Sequence, residues 1–283
     1  MEKEKSILVT GCSSGIGKGI AGKFVKEGYL VFGSVRKKED ADILKEELGE
    51  QFFPLIMDIT KVETIKESVK KVTQKLDGKG LGGLINNAGI AIYGPLSHMS
   101  MKEVKNLFEV NTFGPLAVTK AFLPLLGMQE NQTSAPGRII NISSAAGQIS
   151  VPFIGGYSGS KHALEGITHS LRQEVKRYGI DVVIVAPGFV NTAIAANLKK
   201  LEPYENTDFT ESLNKFSETT LMQLEKEGHT NHQAAALIYK IFTLKKPSAR
   251  YSTARNKFKN WTLLKIMPTK VRDTLVAKIF GLQ

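Results

Sequence analysis

Short apolar runs that alternate with stretches of helical periodicity constrain this chain most. The runs cover 6–10, 29–35, 53–57, 84–89, 138–142 and 181–185. Apolar runs of this length, bounded by turn residues, read as strands buried on both faces. Between them the apolar positions recur at three- and four-residue steps: Ile20, Phe24 and Val25; Val62, Ile65, Val69, Val72 and Leu76; Leu164, Ile167, Leu171, Val175 and Tyr178. A longer set, Val104, Leu107, Phe108, Asn111, Leu116, Val118, Phe122 and Leu125, predicts one continuous helix with a polar Asn111 inside it. Strand–helix alternation predicts right-handed crossovers and a parallel sheet with helices on both faces. Ligands of such folds gather at the carboxyl ends of the strands. Gly11, Arg36, Asp58, Asn87 and Ser144 all fall at such ends.

The first run enters Gly11-Cys12-Ser13-Ser14-Gly15-Ile16-Gly17 and then a helix. A strand, a glycine-rich turn and a helix N-terminus together present backbone N–H groups to phosphate. The spacing is G-x-x-x-G-x-G rather than the G-x-G-x-x-G of the general dinucleotide fingerprint. Many dinucleotide sites place an acid after the second strand to bind the ribose 2′-hydroxyl. This chain has Arg36-Lys37-Lys38 there, which favours NADP(H) over NAD(H), because a guanidinium forks onto a 2′-phosphate.

Tyr157 and Lys161 lie four apart in the helix-period segment that follows the fifth run, so both side chains share one face. A free tyrosine has a pKa of about 10, and a nearby cation favours its phenolate. Ser144 ends the fifth run, where strand end and helix start can bring its hydroxyl beside the phenol. A hydrolytic role for Ser144 has little support, since no G-x-S-x-G elbow surrounds it. Cys12 reads as a packing residue and His162 as structural. No His/Cys cluster has metal-ligand spacing.

Together Thr10-Gly11-x-x-x-Gly15-Ile16-Gly17, Asp58-Ile59, Asn86-Asn87-Ala88-Gly89, Asn111, Ser144, Tyr157-x-x-x-Lys161 and Pro187-Gly188 resemble the short-chain dehydrogenase/reductase family over about 5–195. The resemblance implies a Rossmann-like, doubly wound sheet of about seven strands. It implies a cofactor site of Gly11, Ser13, Ser14, Gly15, Ile16, Gly17, Arg36, Asp58, Ile59, Asn87, Ala88, Tyr157, Lys161, Pro187, Gly188, Val190 and Thr192. Asp58 and Ile59 would lie near adenine, Asn87 near the inner ribose and Lys161 on the nicotinamide ribose. Ser144 would hold the substrate carbonyl, Tyr157 would act as acid/base, and Asn111 would help hold a proton-relay water. The family's helices at 104–126 and 157–178 imply a homodimer or homotetramer.

Residues 1–245 read as the catalytic domain, within which the family resemblance implies that 190–230 closes over substrate, and 246–283 as a basic helical extension. Ile149, Phe153 and Phe189, with Ile92, Tyr93, Val151 and Ile194, predict a lipophilic carbonyl or alcohol substrate: a steroid, retinoid or fatty carbonyl. The tail resembles that of retinol- and hydroxysteroid-type members through Pro247-Ser248-Ala249-Arg250-Tyr251, then Trp261, Leu263 and Leu264.

Charge sharpens the view of the tail. The chain carries +11, but 245–283 alone holds ten Lys/Arg against Asp273, so the remainder is nearly balanced. That argues against nucleic acid as a partner of the whole protein. Val271, Leu275, Ile279 and Leu282 form a stripe that Val276 and Phe280 widen, with Lys270, Arg272 and Lys278 off it. Phe258, Trp261 and Leu264 repeat the step of three among Lys257, Lys259 and Lys265. Two readings stay open: an interfacial membrane segment, or packing on the protein's own core or a partner subunit. The lone cysteine fits a reducing compartment, and the charged start predicts no secretory leader. The expected location is cytoplasmic, with peripheral attachment to a membrane under the first reading. Two non-enzymatic alternatives are a non-catalytic NADP(H)-binding sensor or scaffold, and a membrane-surface interaction protein.

Overall fold

The structure is a computed structural model and describes residues 4–129, 134–190, 198, 201, 204, 206–253 and 266–282. Seven parallel strands form one sheet: β1 (Ser6–Val9), β2 (Leu30–Val35), β3 (Phe52–Ile56), β4 (Gly83–Asn86), β5 (Arg138–Ile142), β6 (Asp181–Ala186) and β7 (Arg250–Ser252), in the order β3-β2-β1-β4-β5-β6-β7. The Rossmann-like fold is therefore as the sequence predicts. The chain winds outward from β1 to β3, then crosses back to place β4 on the other side of β1. That reversal opens a crevice at the carboxyl ends of β1 and β4.

Side chains alternate across the sheet with the period of two that a strand imposes. Ile7, Val9, Ile85, Ile140, Val183 and Val185 face a layer built by α1 (Gly15–Lys26), α2 (Lys38–Leu48) and α8 (Asn231–Thr243). Leu8, Leu84, Ile139 and Val182 face the opposite layer of α3 (Val62–Leu76), α5 (Gly114–Phe122) and α6 (Gly155–Glu174). Burial on both faces is why the strands are apolar at nearly every position rather than alternating.

The long helix expected around Asn111 is interrupted. α4 (Met101–Phe108) runs into a π-helical turn, Glu109–Phe113, before α5 begins. A π turn admits one extra residue, so apolar spacing survives across it and conceals it in the sequence.

Arg138 opens β5 yet is only 2% exposed. Its Nε and Nη2 donate to Asp181 Oδ2 at 3.1 and 2.6 Å. Its Nη1 donates to the carbonyls of Ile241, Phe242 and Leu244, which end α8. One guanidinium thus ties two strands to a helix terminus whose carbonyls lack helical partners.

α7 (Thr210–Glu227) and α9 (Thr269–Phe280) build a third apolar cluster beyond the strand ends. Val276 and Phe280 are buried in it, whereas Val271, Leu275 and Ile279 are 55%, 41% and 44% exposed. The apolar set of the tail helix is therefore split between two faces. Phe258, Trp261, Leu263 and Leu264 lie outside the described residues. Among the described residues no helix is long and apolar enough to cross a membrane.

Candidate active site

The glycine-rich turn fits a phosphate group on its own geometry. Gly11 and Gly15 have φ of 71° and 58°, a region open to glycine at no steric cost. A Cβ on Gly17 would overlap the Gly11 carbonyl oxygen. Ser13 and Ser14 are exposed, α1 has no acid in its first turn, and its N-cap Ser14 makes no side-chain capping bond. The helix N-terminus is thus open to an anion.

Thr10 holds the turn against β4. Its Oγ1 accepts the Asn87 and Ala88 N–H groups at 3.0 Å each. Asn87 Nδ2 donates to the carbonyls of Thr10 and Gly11 at 2.9 and 3.1 Å. Ser34 on β2 braces the other side, its Oγ accepting from Gly11 N at 3.0 Å and its carbonyl from Cys12 N at 2.8 Å. Cys12 is fully buried, and burial pushes its thiol up to about 12, so it packs and does not react. Arg36 is exposed at the end of β2. Burial opposes ionisation of Asp58, but the Thr60 N–H and hydroxyl, with Lys61 and Arg36 nearby, hold its carboxyl below the usual range.

Ser144, Tyr157, Lys161 and Asn111 gather where β4, β5, α6 and the π turn meet. Asn111 is fully buried; its Oδ1 accepts from Ile90 N at 2.9 Å, and its Nδ2 donates to Ile90 O at 2.9 Å and Ser160 Oγ at 3.0 Å. Lys161 is 5% exposed and its Nζ donates to the Ile142 carbonyl at 2.9 Å. The same nitrogen lies 6.0 Å from the centre of the Tyr157 ring.

The electrostatics differ from the sequence expectation. Burial raises the Tyr157 phenol above its ordinary value, and the counteracting influence is a hydrogen bond from Ser144, not the lysine charge. Lys161 is itself pushed down to about 8 by burial, with Glu165 opposing the fall. Two buried groups a turn apart each lose hydration, and that loss outweighs their mutual field. Tyr157 therefore keeps its proton at neutral pH and can donate it.

Of the expected substrate residues, Phe153 is buried in the third cluster, with Tyr93 and Val151 packed against it. Phe153 holds φ of 68°, a strained conformation for a bulky residue. Its ring meets Phe209 and Phe216 with centroids 6.1 and 5.7 Å apart. Phe216 also meets Tyr93 at 6.2 Å and Phe280 at 5.5 Å. The sequence reading missed Phe209 and Phe216, which fall in the expected covering segment and repeat its aromatic character. Ile149 is buried under the turn after Ser144, and the Phe189 carbonyl accepts from His229 N at 2.9 Å; neither belongs to the aromatic cluster. Pro187 and Gly188 follow β6, Val190 bridges to His229, and Thr192 and Ile194 lie outside the described residues. A surface hollow at Thr73, Lys79, Leu125 and Ser134 lies before β4 and β5, at the far end of the sheet.

A glycine-rich turn at a Rossmann crevice, with a serine, tyrosine and lysine beside it, defines a nicotinamide-dependent dehydrogenase. Residues 5–203 match the family described as short chain dehydrogenase, and the chain belongs to that family. It is an NAD(P)(H)-dependent oxidoreductase. It is 38% identical over 272 residues to an NADPH-dependent 3-dehydrocapnine reductase of Ornithobacterium rhinotracheale, covering 96% of this chain and 95% of that protein. It is 37% identical to human retinol dehydrogenase 5, covering 69% of this chain and 59% of that one. A short-chain dehydrogenase structure from Streptomyces avermitilis superposes with a TM-score of 0.74 at 28% identity, covering 99% of this chain and 96% of that one.

Proposed function

We propose that the protein catalyses NADP(H)-dependent hydride transfer to and from a carbonyl or alcohol of a lipophilic small molecule, with Tyr157 as acid/base. The observation that carries this reading is the cluster of Ser144, Tyr157 and Lys161 beside an open glycine-rich turn. The turn residues 11–17 would hold the pyrophosphate, Asp58 and Ile59 the adenine, Asn87 and Ala88 the inner ribose, and Lys161 with Tyr157 the nicotinamide ribose. Pro187, Gly188 and Val190 would complete that site, together with Thr192, which lies outside the described residues. When bound, the reduced cofactor supplies the hydride. Ser144 holds the substrate oxygen by a hydrogen bond. Tyr157 donates its proton to that oxygen as negative charge develops there, and takes it back in the reverse direction. Asn111 fixes the backbone of Ile90 beside Lys161 and is suited to hold a relay water. The direct test is NADPH absorbance decay with a panel of lipophilic ketones and aldehydes. No turnover across the panel by folded, NADPH-binding protein would favour the sensor or scaffold alternative.

The preference for NADP(H) rests on Arg36 and the absence of an acid at its position. The NADPH-dependent relative has the same preference in its name. Arg36→Asp is expected to lower the NADPH-to-NADH ratio of kcat/KM by roughly 100-fold, because repulsion replaces a charge-assisted fork. Parallel kinetics with both cofactors check this. An equal loss for both would place 2′-phosphate recognition elsewhere.

Lipophilic specificity rests on Tyr93, Phe153, Phe209 and Phe216, which pack ring against ring. A retinol-type relative supports it. A homodimer or homotetramer through the segments at 104–126 and 157–178 accords with Phe113 of the π turn, which is 49% exposed.

The outer face of α9 supports peripheral membrane attachment from the cytoplasmic side. Val271, Leu275 and Ile279 repeat every four residues and are exposed, with Lys270, Arg272 and Lys278 close by. Each cation near an anionic leaflet adds about 1 kcal/mol. The full chain is expected to float with anionic liposomes at low salt, and a Leu275→Glu, Ile279→Glu variant to stay unbound. These side chains face away from buried Val276 and Phe280, so the fold should survive. Folded wild-type protein that does not float would leave the tail a structural element.

A further inference from the structure

Behind Ser144 lies a buried ion pair with no place in the reaction described above. Glu165 sits on α6 one turn beyond Lys161, as Lys161 sits one turn beyond Tyr157. It is 3% exposed. Four donors reach it: Arg250 Nε at 2.9 Å, Arg250 Nη2 at 3.0 Å, Ser143 Oγ at 2.7 Å and Gln148 Nε2 at 3.1 Å. Arg250, on β7, also donates from Nη2 to the Ser144 carbonyl at 3.4 Å. The carboxylate lies directly under the turn after Ser144. A Cβ on Gly147 would come within 2.6 Å of both Glu165 Oε1 and Ser143 Oγ, so only glycine fits there. The pair thus grips the strand end from below on both sides of the Ser144 side chain.

We propose that Glu165, oriented by Arg250, is a positioning residue for the reaction: it fixes the Ser143–Gly147 corner that carries Ser144 and supplies the negative charge facing the Lys161 ammonium. This rests on the roles proposed for Ser144, Tyr157 and Lys161. A buried carboxylate loses its hydration and persists only where donors replace water, as they do here. The bidentate fork fixes its plane as well as its position. The groups facing Lys161 are Tyr157 and Glu165 along α6, the Ile142 carbonyl of β5, and Asn111 of the π turn across Gly89. Tyr93 in turn faces Tyr157, and Arg250 faces Glu165. Glu165 is the one carboxylate among these groups. Its field keeps Lys161 protonated against burial, the direction already noted for that amine.

The test is the pH dependence of kcat/KM for the panel ketone or aldehyde reduced fastest, in wild type, Glu165→Gln and Glu165→Asp, with Tyr157→Phe in parallel. Removing the carboxylate charge lowers the Lys161 pKa, so the alkaline limb of Glu165→Gln is expected to move about one unit to lower pH. Its kcat is expected to fall roughly tenfold as Ser144 loosens, with NADPH affinity unchanged. Glu165→Asp keeps the charge and shortens the reach, so it is expected to lower kcat with the limb in place. A folded Glu165→Gln enzyme whose limb does not move overturns the proposal, whether or not kcat falls, since a purely structural pair would behave so. If Glu165→Gln does not fold, Arg250→Gln decides: it removes the positive charge that offsets Glu165, so the alkaline limb is expected to move to higher pH, and an unmoved limb overturns the proposal. An active Tyr157→Phe enzyme overturns the site reading itself. An inactive one beside an unchanged Glu165→Gln enzyme overturns the positioning role alone.

Discussion

Tyr157→Phe lowers kcat by roughly 100-fold or more, the scale of general acid catalysis, while NADPH still binds with near-wild-type affinity. The phenol is the one group at this site that combines a proton retained at neutral pH with a hydrogen bond to Ser144. Phenylalanine preserves the ring that Lys161 lies over and leaves the Lys161 bond to Ile142 untouched. The loss should therefore fall on proton transfer rather than on folding or cofactor affinity. Steady-state kinetics with a fluorescence titration of NADPH separates the two. A variant retaining more than about a tenth of the wild-type rate would lie outside the range of general acid catalysis and refute the assignment.

Arg138→Met destabilises the fold by about 3 kcal/mol, from the loss of a buried charge partner and of donors to helix-terminal carbonyls. Methionine fills much of the volume and restores none of the bonds. The carbonyls of Ile241, Phe242 and Leu244 lose the donor that ends α8, and Asp181 loses its fork. Asp181 is 40% exposed at its side chain and can regain water, so most of the effect comes from the enclosed carbonyls. For a chain of this size the melting temperature should drop by about 6–12 °C. Thermal and urea unfolding measure it. A change below about 0.5 kcal/mol, typical of surface substitutions, would show that water replaces the guanidinium freely.

The sheet was legible because its strands are buried on both faces and so stand out as apolar runs. The 138–142 run even begins at the residue where β5 begins. The strand-end residues were legible because a parallel alternating topology sends every such residue to one edge. What was hidden depends on pairs far apart in sequence. Nothing in the sequence singles out Glu165, and Arg250 stands there as one cation of the tail; only the fold brings β7 beneath α6. Phe216 carries no signal in the sequence and Phe280 only widens the tail stripe, until α7 and α9 close on Phe153. The sign of the Tyr157 shift was hidden for a related reason. Spacing shows that a lysine is near, but not that both groups lose their water. The tail shows the same limit: periodicity found the apolar positions of α9 but could not divide Val276 and Phe280, turned inward, from Val271, Leu275 and Ile279, turned outward.

The central claim is that this chain moves a hydride from a nicotinamide to a carbonyl carbon while Tyr157 supplies the proton. The measurement that reaches it most directly is isotope transfer from NADPH deuterated at the nicotinamide C4, with mass spectrometry of the alcohol formed from a panel carbonyl. The account predicts deuterium on the carbinol carbon from one face of the labelled cofactor, in ordinary water, with Tyr157→Phe forming the same labelled alcohol roughly 100-fold more slowly. An alcohol formed without deuterium from either face of the labelled cofactor would contradict it.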